Sequence, residues 1–119
     1  MARILVADDD AFTREMAQRA LQSDGHEVVM AEDGGDALTV IANGPAFDLV
    51  VTDVEMPNTD GLELAEALIA QNPAQRIIIM SALADELVRA RALLSPTVRM
   101  ITKPVTLEKI RGEAAELLA

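Results

Sequence analysis

Three aspartates in a row, Asp8, Asp9 and Asp10, a fourth at Asp53, a serine at 81 and a lysine at 103 each stand at or just after the end of a short apolar run. Carboxylates gathered at about 4 Å repel one another by roughly 4 kcal/mol at an effective dielectric of 20. Such a cluster therefore needs a cation or a bound proton. A hard divalent ion suits oxygen ligands, and Mg²⁺ suits them best, because it accepts one to three carboxylates, keeps several waters and commonly bridges to a phosphate. Lys103 gives the cluster a reason to meet phosphate: it and Lys109 are the chain's only lysines, and Lys103 alone stands at such an end. Ser81, followed by the small Ala82, adds a hydroxyl donor beside open space.

Each residue also has a plainer reading. The aspartate run could cap a following helix, Ser81 could cap a helix over 83 to 94, and Lys103 could be a solvated surface charge. Glu55 reads equally as a solvated loop charge or as a carboxylate altering water access at the pocket mouth. Asp60 and Gly61, in "MPNTDG", read as a tight loop with Asp60 capping the next helix.

The elements that must position these groups follow from apolar periodicity. "RILVA" at 3 to 7, "HEVVMA" at 26 to 31, "FDLVVT" at 47 to 52, "RIIIM" at 76 to 80 and "VRMIT" at 98 to 102 are predicted strands. Segments 11 to 24, 34 to 43, 61 to 72, 83 to 94 and 106 to 118 are predicted helices. Gly25, Gly44 with Pro45, Pro73 and Pro96 fall just after helical segments, where helices stop. Strict β/α alternation implies a parallel sheet covered on both faces by right-handed crossovers, a doubly wound α/β sandwich. In such folds ligands sit beyond the carboxyl ends of the strands, and all the residues above project toward that edge.

With 119 residues, half of them hydrophobic, the chain fits one domain with one complete core. It contains no cysteine, which rules out disulfides, thiolate metal sites and cysteine nucleophiles. A formal charge of -10 speaks against a nucleic-acid surface, and Phe12 and Phe47 as the only aromatics speak against base stacking. No apolar run reaches the 18 or more residues of a membrane span, so no membrane partner and a cytoplasmic location are expected.

"ILVADDD" at 4 to 10, "DLVVTDVEMPNTDGLEL" at 48 to 64, "IIIMSA" at 77 to 82 and "TKP" at 102 to 104 together resemble a response-regulator receiver domain of bacterial two-component signalling, across residues 3 to 118. The resemblance implies a flavodoxin-like (βα)5 fold with strand order 2-1-3-4-5, the order of the receiver CheY. It implies that Asp53 is the phosphoacceptor, taking a phosphoryl group from a sensor histidine kinase or histidine phosphotransfer protein. Asp9 and Asp53 would bind Mg²⁺ directly, Asp8 through water, and Glu55 through its backbone carbonyl. Lys103 and Ser81 would hold phosphoryl oxygens, and the bond before Pro104 would be cis. The protein would be no enzyme in the ordinary sense, catalysing only its own phosphorylation and dephosphorylation.

Two departures from the pattern stand out. Receivers usually carry Tyr or Phe three residues before the lysine, whereas this chain has Met100; the small pair before strand five is replaced by Pro96 and Thr97. An aromatic switch therefore cannot operate in its usual form. The face formed by helix four, strand five and helix five is expected to dock a downstream protein of an unusual kind. With the sequence ending after helix five, a stand-alone receiver without an output domain is expected. The competing readings are a small Mg²⁺-dependent phosphohydrolase of haloacid-dehalogenase type, with Asp8 and Asp10 as "DxD", and a non-switching receiver that only binds a partner.

Overall fold

The computed structural model describes residues 1–82 and 84–119. Five parallel strands, β1 (Arg3–Ala7), β2 (Glu27–Ala31), β3 (Leu49–Asp53), β4 (Arg76–Ser81) and β5 (Val98–Thr102), form one sheet in the order β2-β1-β3-β4-β5. The helices are α1 (Ala11–Ser23), α2 (Gly34–Ala42), α3 (Gly61–Gln71), α4 (Ala84–Ala90) and α5 (Leu107–Leu118). The doubly wound sandwich and its strand order agree with expectation.

Strand side chains alternate between the two faces, and the core divides accordingly. Ile4, Val6, Leu49, Val51, Ile78 and Met80 pack with Ala17 and Leu21 of α1 and Ile110 and Ala114 of α5. Their alternates Leu5, Ala7, Val50, Ile77 and Ile79 pack with Ala37 of α2, Leu62, Leu64, Ala65 and Leu68 of α3 and Ala90 of α4. Covering both faces demands consecutive apolar residues in the central strands. Every residue of β3 is accordingly buried, and Ile77, Ile78 and Ile79 are fully so. Each such side chain contributes about 1.5–3 kcal/mol by leaving water.

Side-chain caps set where four helices begin. Asp10, Asp33, Asp60 and Thr106 accept hydrogen bonds from first-turn amides of α1, α2, α3 and α5, and Asp60 with Glu63 forms a complete capping box. Gly25, at φ +87, closes α1 by donating to the carbonyl of Gln22 at 2.9 Å, a left-handed stop natural to glycine.

Most boundaries differ from the sequence reading by one or two residues. β3 starts at Leu49 because Phe47, though buried, lies under the Arg3 guanidinium, 4.1 Å from the ring centre, outside the ladder. The predicted helix 83–94 is a larger difference; its first residue lies outside the described residues. α4 ends at Ala90 and a 3-10 turn follows over Arg91–Leu93. Pro96 biases Ser95 toward extended backbone, and Ser95 and Val98 exchange backbone hydrogen bonds of 3.1 and 3.2 Å, so the chain must leave the helix early. Among the described residues no helix is long and apolar enough to cross a membrane.

Candidate functional site

Sheet register brings the polar strand ends together. Ala7 pairs with Thr52, so Asp8 follows Ala7 at the level where Asp53 follows Thr52; Asp53 pairs with Met80 and Ser81 with Thr102. The amide of Lys103 donates to the carbonyl of Ser81 at 2.8 Å, fixing these two residues side by side. A cleft of ≈ 630 Å³ opens above, lined by residues that include Asp9, Asp53, Glu55, Glu86, Arg89 and Lys103. Set against the roughly 30 Å³ share of one water, it has room for a hydrated ion and a phosphoryl group together.

One carboxylate oxygen from each of Asp8, Asp9 and Asp53 lies within 4.8 Å of the others. Asp8 is fully buried; its Oδ1 accepts the Asp10 amide at 2.9 Å, while its Oδ2 has no hydrogen-bond partner among the described residues. A buried oxygen left so is costly unless something outside the chain binds it. Burial, with a further contribution from the Asp53 charge, raises the Asp8 carboxyl to about 6 despite the Asp10 amide. The donors are all carboxylate oxygens, the set a hard divalent cation takes. Asp10 stands apart from them: it caps α1, accepting from the Phe12 amide and, at 2.7 Å, from the Thr13 hydroxyl. The run of three aspartates thus serves both purposes, two residues in the cluster and one as a cap.

Asp53 is 5% exposed, and its Oδ1 accepts the Val54 amide at 2.9 Å and meets Nζ of Lys103 at 2.9 Å. Burial raises its carboxyl, and Lys103 offsets only part of that. For Lys103, burial pulls the ammonium down, but the hydrogen bond and charge of Asp53, with the charges of Asp8 and Asp10, outweigh it and hold the ammonium above its ordinary value. The Lys103–Pro104 bond is cis.

Two contacts were not read from the sequence. Gly61 does open α3 behind its Asp60 cap, but it also lies against the phosphoacceptor candidate: a β-carbon there would stand 1.9 Å from the Asp53 carbonyl oxygen. Glycine suits a turn equally well, so nothing in the sequence separates the two demands. Ser81, expected beside open space, is instead 2% exposed and donates its hydroxyl to Oε1 of Glu86 at 2.6 Å. Glu86, on α4, is itself 5% exposed. Glu55 is exposed on the loop after β3, and its carboxyl is raised chiefly by the Glu86 charge, then by desolvation. A glutamate in a polar helical segment reads as a solvated charge until the tertiary fold is known.

A family model described as the response regulator receiver domain matches residues 4–115. The chain belongs to that family. Among the receiver's relatives, Response regulator MprA of Mycobacterium sp. (strain KMS) is 37% identical over 116 residues, which cover 98% of this chain and 50% of MprA. Chemotaxis protein CheY of Treponema pallidum is 34% identical over 118 residues, covering 98% of this chain and 82% of that one. The receiver spans about half the length of the first curated relatives it matches. Chemotaxis response regulator CheY4 of Vibrio cholerae superposes with TM-score 0.87 at 27% identity, covering 99% of both chains. Response regulator TrrA of Thermotoga maritima, solved in complex with Mg²⁺ and BeF, superposes with TM-score 0.83 at 32% identity, covering 99% of this chain and 100% of TrrA. Family membership sets the phosphohydrolase reading aside; Asp10, committed to capping α1, is also unsuited to the second place in "DxD".

Proposed function

We propose that this receiver takes a phosphoryl group onto Asp53 from a phosphohistidine of a sensor kinase or histidine phosphotransfer protein, and signals by docking another protein in its phosphorylated form. The observation that carries the reading is the buried Asp53 carboxylate held by Lys103 beside Asp8, whose Oδ2 lacks a partner among the described residues. Asp8, Asp9 and Asp53, with the Glu55 backbone carbonyl, would hold Mg²⁺, which when bound supplies positive charge to the transferring phosphoryl oxygens. In the transfer a carboxylate oxygen of Asp53 forms a bond to phosphorus while the bond to the histidine nitrogen breaks, and the imidazole departs. The chain's own contribution is positioning and charge, the main sources of rate in phosphoryl transfer. The Val54 amide and Lys103 orient Asp53, and the Lys103 ammonium meets the charge that the phosphoryl oxygens gather.

Beryllofluoride with Mg²⁺, followed by amide chemical shifts, tests this directly. Shifts at Asp53, Ser81 and Lys103 that vanish in Asp53→Ala support the reading. No response in the wild type would leave a module that only binds a partner. A screen of histidine kinases for phosphotransfer to Asp53 would then identify the donor.

A further inference from the structure

Ser81 has a single hydroxyl proton, and the ligand-free fold gives it to Glu86 at 2.6 Å, with both residues buried. A phosphoryl oxygen on Asp53 would need that same proton. We propose that Glu86 is a positioning residue that holds Ser81 in the resting state, and that surrender of this hydrogen bond is what transmits phosphorylation to α4; the proposal rests on the reading of Asp53 as phosphoacceptor.

The consequence for α4 follows from burial. Once Ser81 turns to the phosphoryl group, the Glu86 carboxylate is left buried without its donor, which is unfavourable. The negative charges of Glu55 and of the new phosphoryl group line the same cleft, and in the resting state the Glu86 charge already raises the Glu55 carboxyl. Glu86 must then turn outward to water. It sits in the first turn of a helix of 7 residues that the Ala90 contact and the Arg89–Asp60 ion pair of 3.1 Å tie to its surroundings, so it can carry the helix start with it. Met100 leaves such a coupling needed: it pairs in register with Ile79, packs half-buried against the core and has no ring to swing inward.

The test titrates beryllofluoride, in Mg²⁺, into the whole chain as wild type, Glu86→Ala, Glu86→Gln and Glu55→Gln, reading affinity and amide shifts. Glu86→Ala is expected to bind about fivefold tighter than wild type or better, since ligand no longer competes with a charged acceptor for the Ser81 proton. Its ligand-free α4 amides should already lie toward the positions that ligand induces in the wild type. Glu86→Gln, which keeps a weaker neutral acceptor, should fall between. Glu55→Gln removes the same charge from the cleft but leaves the Ser81 pair intact, so its gain should be smaller than either and its ligand-free α4 unchanged. Equal gains for the Glu55 and Glu86 variants, or α4 amides responding in Glu86→Ala as in the wild type, would overturn the inference while leaving Asp53 as acceptor. A wild type without any beryllofluoride response overturns both.

Discussion

Nζ of Lys103 reaches Oδ1 of Asp53 at 2.9 Å although the strands that carry them are not neighbours, since β4 lies between β3 and β5. The lysine therefore spans the end of β4 and ties the outer strand to the carboxylate cluster. Removing it as Lys103→Ala leaves a buried carboxylate without its cation, costing on the order of 1–3 kcal/mol of stability in chelator. Phosphoryl acceptance should fall about a hundredfold, the scale of losing one charge-stabilising donor. Urea unfolding and transfer rates from a cognate kinase check the two effects; unchanged transfer would remove Lys103 from the chemistry.

Asp8 is kept in a fully buried place where its charge is unwelcome. Asp8→Asn retains an acceptor for the Asp10 amide and carries no charge. At neutral pH in chelator it should be more stable than wild type by about 1–3 kcal/mol, with Mg²⁺ affinity at least about tenfold weaker, a trade of function against stability. Thermal unfolding with and without Mg²⁺ measures both. A variant that is destabilised in chelator would contradict the account of Asp8.

The same residue sets a pH dependence. The native Asp8 carboxyl, at about 6, lies above its unfolded value of about 3.9. The fold therefore holds the proton more tightly, and this contribution is complete below about pH 4 and lost as pH rises through about 6. Asp53 and Glu55 are shifted in the same direction, whereas Asp10, Asp24 and Asp60, held below their ordinary range, lose their contributions only at still lower pH. In chelator, stability should decline between about pH 4.5 and 7 by on the order of 2–3 kcal/mol. Mg²⁺ should abolish most of the decline. Denaturant midpoints across that range give the answer, and a rising curve without Mg²⁺ would refute it.

Two glycines form a matched pair. Gly61→Ala places a methyl group 1.9 Å from the Asp53 carbonyl oxygen, so it should cost about 2 kcal/mol or more and displace Asp53, since overpacking against backbone forces a shift. Gly112 lies inside α5 and is exposed, and a β-carbon added there would meet nothing within 4 Å among the described residues. Gly112→Ala should therefore stabilise by about 0.5–1 kcal/mol through helix propensity alone. Thermal melts of the two variants, with beryllofluoride binding for the first, distinguish steric displacement from a general intolerance of change.

Much of this was legible in the residues themselves. Period-two and period-3.6 patterns are local, so the alternation of strands and helices could be read directly, and alternation limits the topology. Asp8, Asp9, Asp53, Ser81 and Lys103 were recognisable because each ends an apolar run, and the register brings all five to one edge. What stayed hidden depends on contacts distant in sequence or on competing local demands. Glu86 belongs to an ordinary amphipathic segment until α4 turns it onto Ser81. Gly61 satisfies a helix start and a close approach at once. The early end of α4 reflects pairing of Ser95 with Val98, which no periodicity foreshadows.

The clustered aspartates hang from β1 and β3 near the middle of the sheet, whereas Ser81, Glu86 and Lys103 belong to its β4–α4–β5 side. In the proposed function, listener and reagent are thus housed in adjoining halves of one fold, with Ser81 and Lys103 at the seam serving both. Under the proposed function, partner choice can diversify through substitutions on the outer half that spare Ser81, Lys103 and the reactive carboxylates, so that a change of conversation need not entail a change of chemistry.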